Sequence, residues 1–294
     1  MKIGLQIPSF TWPNGPENLA ATLKDIVQSA DDNGFASIWV MDHFFQLPML
    51  GDPDQPMLEG YSALTYIAAL TKNVKLGTLV TGVIYRNPGF LVKQVTNLDV
   101  LSNGRAYFGV GAAWFDREAD GLGFPFPEVK TRFEWLEETL QIAHQMWSGE
   151  VKPYEGQHFQ LAETLCNPLP LSKPHPPIMI GGMGEKKTLR FVAQYADACN
   201  LFARAGNDVL KQKLDVLQQH CEDVGRPYSE IEKTCLGTVM LSAEDVTPDT
   251  VIEQCRELAD IGIEHVIFNM PMDVHTITPL EVFGKEVIPV VAEF

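Results

Sequence analysis

Apolar and polar positions along the chain follow two spacings that succeed each other in turn. Residues 2–8 alternate with a period of two, which is typical of a strand with one buried face. Residues 18–30 carry apolar side chains three and four positions apart, the spacing of a helix packed on a core, at Leu19, Leu23, Ile26, Val27 and Ala30. An Asn33-Gly34 stop follows, so the first 34 residues predict one strand–helix unit.

The same alternation continues to the end of the chain. Strands are predicted at 2–8, 37–41, 74–81, 106–110, 178–180, 198–201, 235–241 and 265–270. Helices are predicted at 18–30, 62–70, from 88 to the Ser102-Asn103-Gly104 stop, at 130–147, up to 195, at 209–224, 248–258 and 279–291. Strict alternation favours a parallel sheet covered by helices, and eight units favour closure into a (β/α)8 TIM barrel.

One stretch interrupts this regularity. Residues 151–177 contain a predicted hairpin at 154–159 and five prolines from Pro168 on. We interpret this stretch as an insertion before strand five.

Length and composition limit the class of protein. The 294 residues suffice for a single domain, 1–294, and the net charge of −16 argues against nucleic acid as a partner. The five cysteines are scattered, and no apolar run approaches the roughly 20 residues of a membrane span. We therefore expect a cytoplasmic protein with reduced thiols, no membrane association and a small-molecule substrate.

Residues that follow the strands lie at the mouth of such a barrel, where active sites are built. Asp42 and His43 follow the second strand, and imidazole is suited to proton transfer near neutral pH. By itself this pair fits a helix-start aspartate beside a packed or solvated histidine better than a functional pair. After the third strand, Arg86 either reaches a phosphate or substrate or lies on the surface.

The fourth and fifth strands end in small residues. Gly109-Val110-Gly111 leads to Ala112-Ala113, which leave room for a ligand, and to Trp114 and Phe115, which are suited to the wall of an apolar cleft. The fifth strand leads to Gly181-Gly182-Met183-Gly184 and a helix, a turn that presents amides to an anion or serves only as a turn.

Several chemistries have no signal in the sequence. The turn lacks the Gly-Lys-Ser/Thr of a nucleotide P-loop, the seven histidines are dispersed, and no serine nucleophile elbow occurs. We expect no metal site, and these omissions favour a cofactor that carries its own redox chemistry.

Taken in order, the motifs of the first 202 residues resemble the luciferase-like monooxygenase family. They are SIWVMDH at 37–43, LGT at 76–78, YRNP at 85–88, LDVLSNGR at 98–105, GVGAAW at 109–114, RFE at 132–134 and IGG at 180–182. The resemblance implies a barrel that binds FMN or the deazaflavin coenzyme F420 over its mouth. Asp-His after the second strand resembles the F420 branch.

The resemblance also implies roles for individual residues. Asp42 would contact the cofactor and His43 would move a proton, and a cis peptide at Leu79-Val80, followed by Thr81, would lie behind the ring. Ala112 and Ala113 would contact the cofactor, and Gly181, Gly182, Met183 and Gly184 would hold its phosphate. Members that oxidise a sugar phosphate carry a glutamate where this chain has Trp114, which argues against that substrate; Glu118 is a weak substitute.

Three functions follow, in order of preference. The first is hydride transfer between F420 and a small organic substrate held against Phe44, Phe45, Trp114 and Phe115. The second is an FMN-dependent monooxygenase supplied by a separate reductase, and the third is a non-catalytic cofactor-binding protein. Relatives commonly dimerise, so we expect a homodimer.

Overall fold

Eight parallel strand positions close into a barrel in the computed structural model, which describes residues 1–241, 246–271 and 273–294. The barrel strands are β1 (Lys2–Ile7), β2 (Ser37–Val40), β3 (Lys75–Thr78), β4 (Thr81–Gly82), β5 (Phe108–Gly111), β8 (Ile178–Gly181), β9 (Ala198–Phe202), β10 (Glu232–Thr238) and β11 (His265–Asn269). A separate antiparallel pair is formed by β6 (Tyr154–Glu155) and β7 (Gln160–Leu161).

The strand order is β3-β2-β1-β11-β10-β9-β8-β5-β4. Because β3 and β4 are two segments of one strand position, this order runs once around the barrel. The ring is closed at Leu76, whose N–H donates to Arg105 O at 2.8 Å and whose carbonyl accepts from Tyr107 N at 2.7 Å. The predicted (β/α)8 barrel is confirmed.

Two predicted strands differ from the structure. The third is interrupted at Leu79 and Val80, which are joined by a cis peptide bond as the resemblance implied. The seventh ends at Thr238 rather than at 241, and residues 242–245 lie outside the described part of the chain.

The helices surround the barrel. They are α1 (Leu19–Asp32), α2 (Gly60–Leu70), α3 (Pro88–Leu101), α4 (Asp116–Leu122), α5 (Val129–Trp147), α6 (Thr188–Tyr195), α7 (Asn207–Val224), α8 (Pro248–Asp260), α9 (Thr278–Val282) and α10 (Ile288–Val291). The predicted apolar spacing is confirmed in α1, whose buried apolar residues are Leu23, Ile26, Val27 and Ala30.

Two helical regions depart from prediction. The short helix α4 was not predicted. The last predicted helix, 279–291, is divided into α9, a π-helical turn (Phe283–Val287) and α10. Pro289 has no N–H to donate to the preceding turn, which accounts for an interrupted hydrogen-bond ladder there.

The insertion before the fifth barrel strand is confirmed, with β6 and β7 as its hairpin. It is tied to the helical layer by two buried carboxylates. Glu138 of α5 accepts from the backbone N–H groups of Gln157, His158 and Phe159. Asp99 of α3 accepts from Leu171 N and Ser172 N at 2.7 and 2.9 Å.

The described residues add two facts about the whole chain. The five cysteines, which all lie among them, are free thiols, and each is buried. No helix within the described ranges has the length and apolar character needed to cross a bilayer.

Candidate active site

His43 lies in the loop after β2, at the end of the barrel where the strands finish. Its Nδ1 is 2.6 Å from Glu118 Oε1, and its ring meets those of Trp114 and Phe115 nearly edge-on, each with 5.8 Å between ring centroids. The side chain of His43 is 13% exposed, whereas Trp114 is 56% exposed. The predicted proton-transfer residue therefore lies beside two of the predicted pocket aromatics.

The other two predicted pocket residues separate into different clusters. Phe45 packs with a group that includes Met41 and Phe115. Phe44 stacks against Phe124 and meets Tyr85 edge-on, with centroids 5.3 and 5.2 Å apart. Phe45 thus extends the wall around His43, and Phe44 supports the loop from behind.

Glu118, a weak substitute when judged by its place in the sequence, is a central residue of the site. Its side chain is fully buried in α4, and its carboxylate accepts from the backbone N–H groups of Phe44 and Phe45 at 2.7 and 3.2 Å and from the hydroxyl of Tyr85. Burial alone would raise the pKa of Glu118, but the hydrogen bonds from His43, Tyr85 and Phe44 lower it below its usual value.

Asp42 and Arg86 form a second buried group behind His43. The two carboxylate oxygens of Asp42 accept from Arg86 Nη1 and Nη2 at 2.7 and 2.8 Å, and Gly82 N donates to the same carboxylate at 3.2 Å. Arg86 Nη2 also donates to Glu59 Oε1 at 2.5 Å. Burial raises the pKa of Asp42, and Arg86 acts in the opposite direction.

This group changes the interpretation of both residues. The side chain of Arg86 is only 6% exposed, so it neither lies on the surface nor extends freely towards a ligand. Asp42 is 2% exposed, and both of its oxygens are already hydrogen-bonded. Contact between Asp42 and a cofactor stays a prediction.

The segment between β3 and β4 begins next to the end of β2. Leu79 N donates to Val40 O at 2.9 Å, and both Leu79 and Val80 are half-buried. Thr81 is fully buried, with its hydroxyl 2.8 Å from Tyr61 Oη and 2.6 Å from Thr78 Oγ1. Leu79 and Val80 can therefore present backbone and side chain to a ligand, whereas the side chain of Thr81 is engaged in the core.

Gly111 at the end of β5 and Gly181 at the end of β8 leave space that the side chain of Val80 occupies. A Cβ at Gly111 or at Gly181 would come 3.0 Å from a methyl group of Val80. Ala112 and Ala113 are half-buried, and a Cβ at Gly82 would approach Ala113 Cβ to 3.2 Å. Val80 thus joins the ends of β5 and β8 into one continuous surface.

The turn after β8 has the features of an anion site. Gly182 adopts φ +122°, a conformation that favours glycine, and its N–H donates to Asn200 O at 3.0 Å. The first turn of α6 receives no side-chain cap from Lys187, the residue at its N-cap. Leu189 N donates to Gly184 O at 3.0 Å, so a ligand would be held by the other amides of this turn. Met183 is half-buried, and Gly184 and Lys186 are exposed. Phosphate binding stays a prediction that these features fit.

Residues 1–241, 246–271 and 273–294 contain no cluster of three or more His, Cys, Asp or Glu side chains that could hold a metal ion.

Comparison with known proteins identifies the family. The protein-family model described as luciferase-like monooxygenase matches residues 1–246 of the sequence. The chain belongs to this family. As a member, it is an oxidoreductase, and the resemblance stated from its motifs is confirmed.

Two relatives show this similarity at the level of sequence. An uncharacterised protein of Mycobacterium tuberculosis is 27% identical over 256 residues, which cover 82% of this chain and 84% of that protein. The F420-dependent glucose-6-phosphate dehydrogenase of Kineococcus radiotolerans is 28% identical over 254 residues, which cover 82% of this chain and 69% of the dehydrogenase.

Solved structures confirm the fold of this family member. An F420-dependent secondary alcohol dehydrogenase, in complex with an F420–acetone adduct, superposes with a TM-score of 0.81 at 21% identity, covering 99% of this chain and 98% of that one. The oxygenating constituent of 3,6-diketocamphane monooxygenase from Pseudomonas putida, in complex with FMN, superposes with a TM-score of 0.77 at 18% identity, covering 98% of both chains.

Proposed function

We propose that this enzyme transfers a hydride between coenzyme F420 and a small organic substrate, and that His43 moves the accompanying proton. The position of the His43 ring supports the proposal, because an imidazole, which is suited to proton transfer, lies with its centroid 5.8 Å from the ring centroids of Trp114 and Phe115. The F420 dependence named for the Kineococcus radiotolerans relative supports this cofactor over FMN.

The residues at the mouth fit a flat cofactor with a phosphate tail. The half-buried peptide between Leu79 and Val80 gives a surface for a ring, and the uncapped start of α6 gives amides for a phosphate. We assign the contacts with the cofactor to Asp42, Leu79, Val80, Thr81, Ala112, Ala113, Gly181, Gly182, Met183 and Gly184. When bound, the deazaflavin supplies or accepts the hydride at its carbon 5.

The substrate that fits this mouth is uncharged and apolar. Trp114 is exposed beside His43, and Phe115 backs it, so the wall nearest the proton-transfer group is aromatic. Arg86, the buried cation that binds Asp42, is also paired with Glu59 and so is not free to bind an anionic substrate. We therefore expect small secondary alcohols or conjugated carbonyl compounds to be turned over, and sugar phosphates to be rejected.

The test is a pair of fluorescence titrations of the apo protein, one with F420 and one with FMN. We expect tight binding of F420 and then deazaflavin-linked turnover in a panel of alcohols and enones. In the His43→Asn variant, F420 binding should persist while turnover falls by roughly 10²–10⁴-fold. Preference for FMN would overturn the cofactor, and unchanged turnover in the variant would overturn the role of His43.

The second candidate is an FMN-dependent monooxygenase that receives reduced flavin from a separate reductase. The fold shared with the FMN-bound oxygenating constituent supports this candidate. Oxygen consumption with reduced FMN would identify this activity, whereas binding without any turnover would identify a non-catalytic cofactor-binding protein. We also propose a homodimer of single-domain chains, as is common among relatives.

A further inference from the structure

A buried carboxylate directly behind His43 determines which of its ring nitrogens carries the proton. We infer that Glu118 is a positioning residue that holds a hydrogen on His43 Nδ1 and thereby leaves Nε2 as the atom that exchanges a proton with the substrate. The consequence for catalysis assumes the proposed function, whereas the state of the ring does not depend on any cofactor.

Three donors and one ring nitrogen of His43 surround the carboxylate of Glu118. Its Oε2 accepts from Phe44 N and Phe45 N, and these backbone amides can only donate. Its Oε1 accepts from the hydroxyl of Tyr85 and lies 2.6 Å from His43 Nδ1. A carboxylate that is fully buried among donors is stabilised in its ionised form, and the lowered pKa of Glu118 agrees with this.

The charge of Glu118 assigns the hydrogen on the imidazole. An ionised carboxylate can only accept, so the short contact with Glu118 requires that Nδ1 donate. Tyr85 remains a donor to the same oxygen, because burial and then the hydrogen bond with Glu118 raise the pKa of its hydroxyl. The neutral ring of His43 therefore carries its hydrogen on Nδ1 and a lone pair on Nε2.

The other ring nitrogen, Nε2, is left for the substrate. Within the described ranges 1–241, 246–271 and 273–294, Nδ1 is the nitrogen of His43 that hydrogen-bonds to the protein, and Nε2 has no such bond. In alcohol oxidation the substrate C–H bond breaks as a hydride leaves for the cofactor, and the O–H bond breaks as its proton passes to Nε2. In the reverse direction, a hydride from the cofactor would add to the carbonyl carbon and a proton would pass from Nε2 to the carbonyl oxygen.

The substitution Glu118→Gln tests this assignment sharply. The amides of Phe44 and Phe45 would hold the oxygen of the new side chain, because they need an acceptor. Its NH₂ group would then face His43 Nδ1 and donate to it. We therefore expect the variant to carry the hydrogen on Nε2, the opposite tautomer from the wild type.

The measurement is ¹⁵N NMR of the full-length apo protein with labelled histidine, at a pH where the ring of His43 is neutral, with signals assigned by His43→Asn. We expect a protonated Nδ1 in the wild type and a protonated Nε2 in Glu118→Gln. With F420 and a turned-over alcohol, Glu118→Gln should lose about 10²–10⁴-fold in turnover, because Nε2 can no longer accept the proton, while cofactor binding is retained.

Two control variants separate positioning from general loss of structure. Glu138→Gln removes another buried carboxylate that accepts backbone N–H groups, but in the hairpin of the insertion. Tyr85→Phe removes a donor to Glu118 and keeps its charge. Both should keep the wild-type tautomer.

The inference is overturned if the wild type carries its hydrogen on Nε2, if Glu118→Gln keeps it on Nδ1, or if Glu138→Gln inverts it as well. The NMR result stands whichever cofactor binds. Failure of F420 titration would therefore overturn the proposed function without affecting the role of Glu118.

Discussion

Arg86 shows how strongly a single buried residue can depend on its partners. Its guanidinium lies between Asp42 and Glu59 and also faces the ring of Tyr61, 4.9 Å from the centroid. Taking charges out of water is unfavourable, and the cost is offset only while the charges remain paired. The loop that carries His43 is therefore held in part by this cluster.

We expect Arg86→Met to lower the free energy of unfolding by about 3–5 kcal/mol, because it leaves the buried carboxylate of Asp42 without its partner. Urea denaturation measures the change. The matched control is Lys211→Met, which breaks an exposed pair with Asp215 on α7 and should cost less than about 1 kcal/mol. A loss in the free energy of unfolding that is as small for Arg86→Met as for Lys211→Met would show that the buried cluster contributes little to stability.

At the scale of elements, the contact between β3 and β5, which are neighbours in the barrel, depends on a position that has no side chain. A Cβ at Gly109 would lie 2.0 Å from the carbonyl oxygen of Thr78, which is backbone and cannot move independently of β3. The hydroxyl of Thr78 also reaches across to Gly109 O at 3.1 Å. Gly109 therefore serves the close approach of two strands.

We expect Gly109→Ala to destabilise the fold by about 3 kcal/mol or more, since the added methyl group must separate β3 from β5. Gly89→Ala in α3 is the control, because its Cβ would meet side-chain atoms rather than backbone, Leu161 Cδ2 at 3.2 Å and Asn87 Oδ1 at 3.5 Å. Alanine also favours a helix by up to about 1 kcal/mol relative to glycine. Equal urea midpoints for Gly109→Ala and the wild type would contradict the steric argument.

An element can be predicted from the sequence when the interactions that form it involve residues close together in the chain. The barrel helices and strands were predictable because their apolar residues recur at regular spacings within one short segment. The helix α4 was not, because its seven residues, DREADGL, contain little apolar material and its structure depends on burial of Glu118 and Ala119. Acidic residues in its first turn and a glycine stop at Gly123 were the signals that could have revealed it.

The site shows the same limit. His43 and the aromatic residues at strand ends were found because barrel topology places them at the mouth. The partners of His43 and Asp42 were missed, because Glu118 is 75 residues from His43 and Arg86 is 44 residues from Asp42 along the chain. Only the folded barrel brings such pairs within hydrogen-bonding distance.

At the scale of the whole molecule, the two ends of the barrel carry different polar clusters. The mouth holds His43, while the opposite end, where the strands begin, holds a cluster centred on Glu232. Its carboxylate accepts from Lys2 Nζ at 2.8 Å and Tyr107 Oη at 2.9 Å, and His265 Nδ1 lies 3.5 Å away. Since active sites in this fold lie at the mouth, the cluster at the other end serves stability.

The acid stability of the barrel should therefore depend on Glu232. Burial alone would raise the pKa of this carboxyl group, but His265 and Lys2 lower it from its ordinary 4.5 to about 2. A carboxyl group with a lowered pKa stabilises the folded state above its unfolded pKa, and this stabilisation is lost as the pH falls from 4.5 towards 2.

A lowering of this size corresponds to about 3 kcal/mol. Urea denaturation at a series of pH values should show the wild type losing that much more stability than Glu232→Gln between pH 5 and pH 2, because glutamine has no proton to gain. The two proteins should therefore converge in stability at the acid end. Parallel curves over this range would mean that the charge of Glu232 contributes nothing to holding the strand beginnings together.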